Sequence, residues 1–145
     1  VNGLERVAAS ANPAATLDLV GLAAADAFAR NQATSAFALL HGATVSNMAR
    51  VLLAHLDEAG QRRLESAVVG FVAAAVIGFD DGPGAAARTE DSGDLDVEGL
   101  AQAAAATNED HTIKFADACL GLAKRTGSRR PLGALHQQIT RPYGL

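Results

Sequence analysis

Apolar residues along this chain recur at helical rather than strand spacing. Asn12 before Pro13 supplies a capping side chain and an imino acid at the first helical position, which predicts a helix from there to about Arg30. A second helix is predicted from Thr34 or Ser35 through Leu39, Leu40 and His41. It passes Gly42, which weakens its middle, and continues through Val45, Met48, Leu52, Leu53 and Leu56. A third runs over 58–79, where Leu64, Val68, Phe71, Val72, Ala75 and Val76 repeat at helical spacing. Residues 80–93, DDGPGAAARTEDSG, have the Gly, Asp and Ser content of an exposed, mobile connection. Beyond it a weakly amphipathic helix is predicted over 94–106. Thr107 with Asp110 resembles a capping box opening the next helix, which ends before Gly127, and a last short helix covers 131–140.

No segment alternates with period two, and no internal repeat is visible. The expectation is an all-α bundle of about five to six helices without significant sheet. It forms a single domain over 1–145, in which the loop at 80–93 separates an N-terminal helical part (13–79) from a C-terminal one (94–140).

Composition narrows this picture. Apolar residues make up 49% of the 145 and aromatics 4%, so much of the apolar mass is alanine, which favours helices with closely approaching backbones. A chain of this length can bury about 70% of the surface its unfolded form exposes. A net charge of −4 argues against a nucleic-acid partner, and the run Lys124, Arg125, Arg129, Arg130 reads as a solvated helix end. One cysteine, Cys119, cannot form an intrachain disulfide, and no signal peptide is visible, so a cytoplasmic location is expected. The most apolar stretch, 67–79, falls short of the roughly 20 residues a membrane span needs. It suits a core helix, or one lying against a second chain.

Candidate chemistry concentrates in two places. On a helix over 109–125, His111, Lys114, Phe115, Ala118 and Leu122 fall within an arc of about 100°. Lys114 thus shares a face with apolar residues, and it either buries its amine or snorkels it to water. Asp110, Asp117 and Lys124 lie on a neighbouring polar strip, where Asp117 is either a support for Lys114 or a solvated carboxylate; Cys119 takes a packing role. His41 shares a face with Phe37, Val45 and Met48 and is expected to point inward, as a hydrogen-bonded core residue or as a metal ligand. His55, about 21 Å further along a straight helix, cannot share a coordination sphere with it, and the exposure of His136 is undetermined.

The segment His41-Gly42-Ala43-Thr44, the stretch Leu52-Leu53-Ala54-His55-Leu56-Asp57, and then Glu109-Asp110-His111-Thr112-Ile113-Lys114-Phe115-Ala116-Asp117-Ala118-Cys119-Leu120 together resemble the questin oxidase-like family over roughly residues 17–125. That resemblance implies an oxidoreductase that uses dioxygen to oxygenate or cleave a polycyclic aromatic ketone of polyketide type. It implies non-heme iron held by His41, His111 and a carbamylated Lys114; Asp117, from its place on the adjoining strip, and Thr44 are expected to support these ligands. A carbamate supplies the hard oxygen that an unmodified lysine lacks. The resemblance further implies NADPH as reductant, although no Gly-x-Gly-x-x-Gly fingerprint follows a strand. Family members are longer, so this chain is expected to be the C-terminal half or one subunit of such an enzyme. Its partner would be a second copy or a second chain bearing further histidines, met through an apolar interface. The alternatives are a non-catalytic helical interaction module, or a small apolar-ligand carrier.

Overall fold

The computed structural model describes residues 12–31, 36–80 and 96–140. These form six α-helices with no strand among the described residues: α1 (Pro13–Arg30), α2 (Ala36–Leu52), α3 (Glu58–Phe79), α4 (Val97–Ala106), α5 (Asp110–Thr126) and α6 (Arg130–Thr140). The protein is an all-α bundle, as its periodicity predicts. Apart from Asp80, the connection over 80–93 lies outside the described residues, as does the start of the helix expected at 94.

The helix ends follow local chemistry. Asn12 Oδ1 accepts the Ala14 N–H at 3.0 Å ahead of Pro13, and Asp57 Oδ1 accepts the Gly60 N–H at 2.7 Å to start α3. α2 passes Gly42 without a break and ends at Leu52, where a 3₁₀ turn, Leu53–His55, replaces the continuation expected to Leu56. Gly127 closes α5 in the left-handed region, φ 69°. One expected cap is misplaced by the sequence reading. Thr107 ends α4, Asn108 takes a positive φ of 51°, and Glu109 caps α5. The Thr107 hydroxyl instead accepts the Glu109 N–H at 3.2 Å, which orients the true cap.

α1 lies at the centre, packed on α2, α3 and α6; α2 also packs on α3 and α5, while α4 covers α5 and α6. The two parts of the chain therefore meet along α1–α6 and α2–α5. The core is threaded by Leu17, Ala24 and Phe28 of α1, Leu39, Leu40 and Ala43 of α2, Val68 and Val72 of α3, Phe115 and Leu122 of α5 and Leu135 of α6. Phe28 and Phe115, both buried, meet with ring centroids 4.6 Å apart. Where α1 crosses α2, a side chain at Gly42 would place its Cβ 2.9 Å from Ala24 Cβ, so the close approach requires hydrogen at that position.

α3 buries Val68, Val72 and Ala75 and leaves Phe71, flanking that stripe, and Ile77, on the far side, exposed. The segment 67–79 is thus half core and half surface. Among the described residues, Phe37–His55 is the one stretch long and apolar enough to cross a membrane by length and composition, and half of it is buried in the bundle.

Candidate functional site

α2 and α5 run side by side and parallel, which sets His41 against His111 and, six residues on, Asn47 against Asp117. The two imidazoles lie 5.5 Å apart between centroids at 64°, and the Phe37 ring packs on both, 4.2 Å from His41 and 5.3 Å from His111. The pair sits at the rim of the bundle. His41 is half-buried rather than inward-facing, because the arc of α2 that it shares with Phe37 and Met48 is the outer one. The inner arc is made by Leu39, Leu40, Ala43, Ser46 and Ala49. Both arcs are rich in apolar residues, so periodicity alone could not choose between them.

Hydrogen bonding fixes which nitrogen of each ring carries the proton. His41 Nδ1 is 2.7 Å from the Phe37 carbonyl oxygen, which can only accept, so Nδ1 donates and Nε2 keeps its lone pair in the neutral ring. His111 Nδ1 lies 2.9 Å from Glu109 Oε1. Glu109 also accepts the backbone N–H groups of His111 at 3.1 Å and of Thr112 at 2.6 Å. Desolvation opposes its ionisation, but the bonds from Thr112 and His111 outweigh it and lower its pKa from 4.5 to about 2. Glu109 is therefore a carboxylate, and His111 donates to it through Nδ1. Both imidazoles are oriented as metal-ligating histidines usually are, each with its other N–H held by a carbonyl or carboxylate.

The remaining expected residues do not converge on this pair. Lys114 is 61% exposed and its ammonium is 2.6 Å from Asp110 Oδ2, one turn back on α5. Phe115, Ala118 and Leu122 of its predicted arc are buried, but the arc's edge, where Lys114 sits, falls outside the packing. A carbamate there would set one anion beside another, so Lys114 does not fit the carbamylated ligand that iron was expected to use. The Thr44 hydroxyl, buried, donates to the His41 backbone carbonyl at 3.1 Å and so braces the helix rather than the ring.

Asp117 supports something other than Lys114. It accepts from Asn47 Nδ2 at 2.7 Å, Asn47 Oδ1 accepts from Arg125 Nη2 at 3.0 Å, and Arg125 Nε donates to Asp18 Oδ1 at 2.8 Å. This chain of bonds ties α1, α2 and α5 together. Cys119 is fully buried and desolvation pushes its thiol well above the ordinary range, in keeping with a packing role. His55 and His136 are exposed.

Sequence reasoning missed Phe37 and Glu109. An acid directly preceding Asp110-His111 is a signal for Glu109, but Thr107 with Asp110 matches the capping-box pattern more closely. Among the described residues no three or more His, Cys, Asp or Glu side chains gather as a metal site would require. A borderline metal such as iron normally takes at least three protein ligands, and the two imidazoles lie together without Lys114 beside them as a third. Set against known protein families, curated proteins and solved structures, the chain matches none.

Replacing Glu109 by Gln is expected to destabilise the fold by about 1 kcal/mol at neutral pH, through the weakened cap. A depressed folded-state pKa means the stabilisation is complete above 4.5 and lost as pH falls through about 2. The difference in urea midpoint between the two proteins should therefore shrink across that window; a gap as wide at pH 2 as at pH 7 would contradict the assignment.

Proposed function

We propose that this chain contributes a two-histidine half-site to a metal-dependent oxidoreductase, with His41 and His111 as the ligands. The observation that carries the reading is the pinning of both Nδ1 donors, by the Phe37 carbonyl and by the Glu109 carboxylate, which turns the Nε2 of each neutral ring toward ligation on adjacent side chains. Resemblance to the questin oxidase-like family supports non-heme iron as the metal and a polycyclic aromatic ketone, oxidised with dioxygen, as the substrate, with NADPH as a reductant. Iron when bound supplies dioxygen activation. The chain's own residues hold and orient the imidazoles, with the Phe37 ring packed against both. Because two ligands do not complete a mononuclear site, the remaining ones come from a second copy or a second chain in a reducing, cytoplasmic setting.

Cobalt titration followed by visible absorption, with anaerobic ferrous iron in parallel, tests the reading. Wild type should bind saturably, and His41→Ala or His111→Ala should each weaken binding by about 100-fold, whereas Lys114→Ala should leave it unchanged. Equal affinity in wild type and the double histidine variant removes the half-site. Oxygen uptake on adding an anthraquinone to the iron-loaded protein then separates an oxygenase from a protein that only binds metal. A second reading, a helical interaction module, is favoured by the uncovered Phe71 and Ile77 of α3, and metal-independent association in sedimentation would support it.

A further inference from the structure

We infer that the groove at the other end of the α2–α5 seam binds a small organic carboxylate with an apolar body. The groove encloses about 670 Å3 between the C-terminal halves of α2 and α5, the start of α4 and the turn into α6. That volume is in the range of small-molecule sites. Val51, Val97, Leu120 and Leu132 give it apolar walls, and Val51 and Val97 are exposed there without a packing partner sufficient to cover them.

Its polar end is built rather than incidental. Asn47, buried, has both halves of its amide committed, to Asp117 and to Arg125, so its orientation is fixed. At Gly121 the helix surface is open to this network: a Cβ there would lie 2.8 Å from the mobile tip of Arg125, Nη1, and 3.1 Å from Asn47 Oδ1. Arg125 spends Nε on Asp18 and Nη2 on Asn47, while Nη1 has no acceptor among the described residues.

Charge selects the ligand. Lys124 and Arg125 line the groove, whose one lining carboxylate, Asp117, accepts from Asn47, on a chain whose net charge is −4. Lys124 is exposed and has no acceptor among the described residues. An anion at this end meets Lys124 and Arg125 Nη1, and an apolar body attached to it lies over Val51, Val97 and Leu120. An uncharged apolar molecule leaves Lys124 and Arg125 Nη1 unused, and a small inorganic anion leaves the walls uncovered. The helix end that the sequence presents as merely solvated is thus one wall of a site. It is distinct from the histidine pair, since Asn47 lies about 9 Å along α2 from His41.

Naphthoate, followed by heteronuclear NMR of the full chain, is the probe. Saturable shifts are expected at the backbone amides of Gly121, Gly127 and Val97. Lys124→Ala, at an exposed position, should weaken naphthoate about tenfold, and naphthalene methanol, the same rings without the charge, should bind wild type about tenfold more weakly than naphthoate does. His41→Ala and His111→Ala should bind it as wild type does, so this inference and the metal reading can fail separately. Shifts centred on Phe71 and Ile77 of α3 would overturn it, as would equal affinity for the charged and uncharged rings or for wild type and Lys124→Ala.

Discussion

Phe115→Ala is expected to cost about 3–5 kcal/mol, a large part of the roughly 5–15 kcal/mol that holds a domain of this kind together. Phe115 is fully buried, and its ring lies 4.6 Å from that of Phe28 across the α1–α5 contact, tilted by 50°. Truncation removes the apolar area, opens a cavity, and loses an aromatic pair worth about 0.5–1.5 kcal/mol beyond its area. The surroundings are poorly equipped to fill the gap. The chain has five Phe and no Trp, and Ala25, Ala116 and Ala118 are among the buried residues of these two helices, so few long side chains can swing in. Urea unfolding followed by helical circular dichroism should show the lowered midpoint, with the slope against denaturant unchanged. Phe71→Ala, at an exposed position of α3, is the control and should change little. A loss at Phe115 of less than about 1 kcal/mol would mean that its ring is not packed into the core against Phe28 as its burial implies.

Gly42→Leu is expected to destabilise the protein by about 3 kcal/mol or more, even though leucine is the better helix former by about 0.8 kcal/mol. The sign is decided by space. The first atom of any side chain at 42 meets Ala24 Cβ at 2.9 Å, and Val72 Cγ2 lies 3.6 Å away, so α1, α2 and α3 all crowd this one position. The leucine must push α1 from α2 or leave its rotamer wells, and either displaces His41 from its place beside His111. Gly70→Leu on α3, where nothing lies within 4 Å, keeps the propensity gain without the clash and should be neutral or stabilising. Thermal melts should show a lowered midpoint for Gly42→Leu and an unchanged or raised one for Gly70→Leu; a raised midpoint for both would show that propensity, not crowding, governs position 42.

Much of the fold is legible before any coordinate is known, because helix formation is local. Apolar spacing over 58–79, Asn12 with Pro13, and Gly127 after Arg125 and Thr126 each act within a few residues, and each element lies where those signals put it. Gly42 was legible as a glycine but misread as a weak point, since its use depends on Ala24, eighteen residues earlier and on another helix. Thr107 was misread for a nearer reason. Threonine is a preferred N-cap residue and glutamate is not, and the positive φ at Asn108 that moves the helix start to Glu109 leaves no periodic trace.

The histidine pair divides the same way. Local sequence determines that His41 sits one turn from the Phe37 carbonyl, and that His111 follows a carboxylate able to hold its Nδ1, because both partners lie within four residues. Lys114 also had a local answer, the Asp110 carboxylate one turn back, but the apolar arc obscured it. Only the tertiary structure decides that the outer arc of α2 carries His41, that α5 lies parallel to α2 and so brings His111 to it, and that Asn47, Asp117 and Arg125 join across three helices. The reason is that an alanine-rich helix offers more than one apolar face. The choice among them rests on the sum of contacts with every other helix, a quantity that no window of sequence contains.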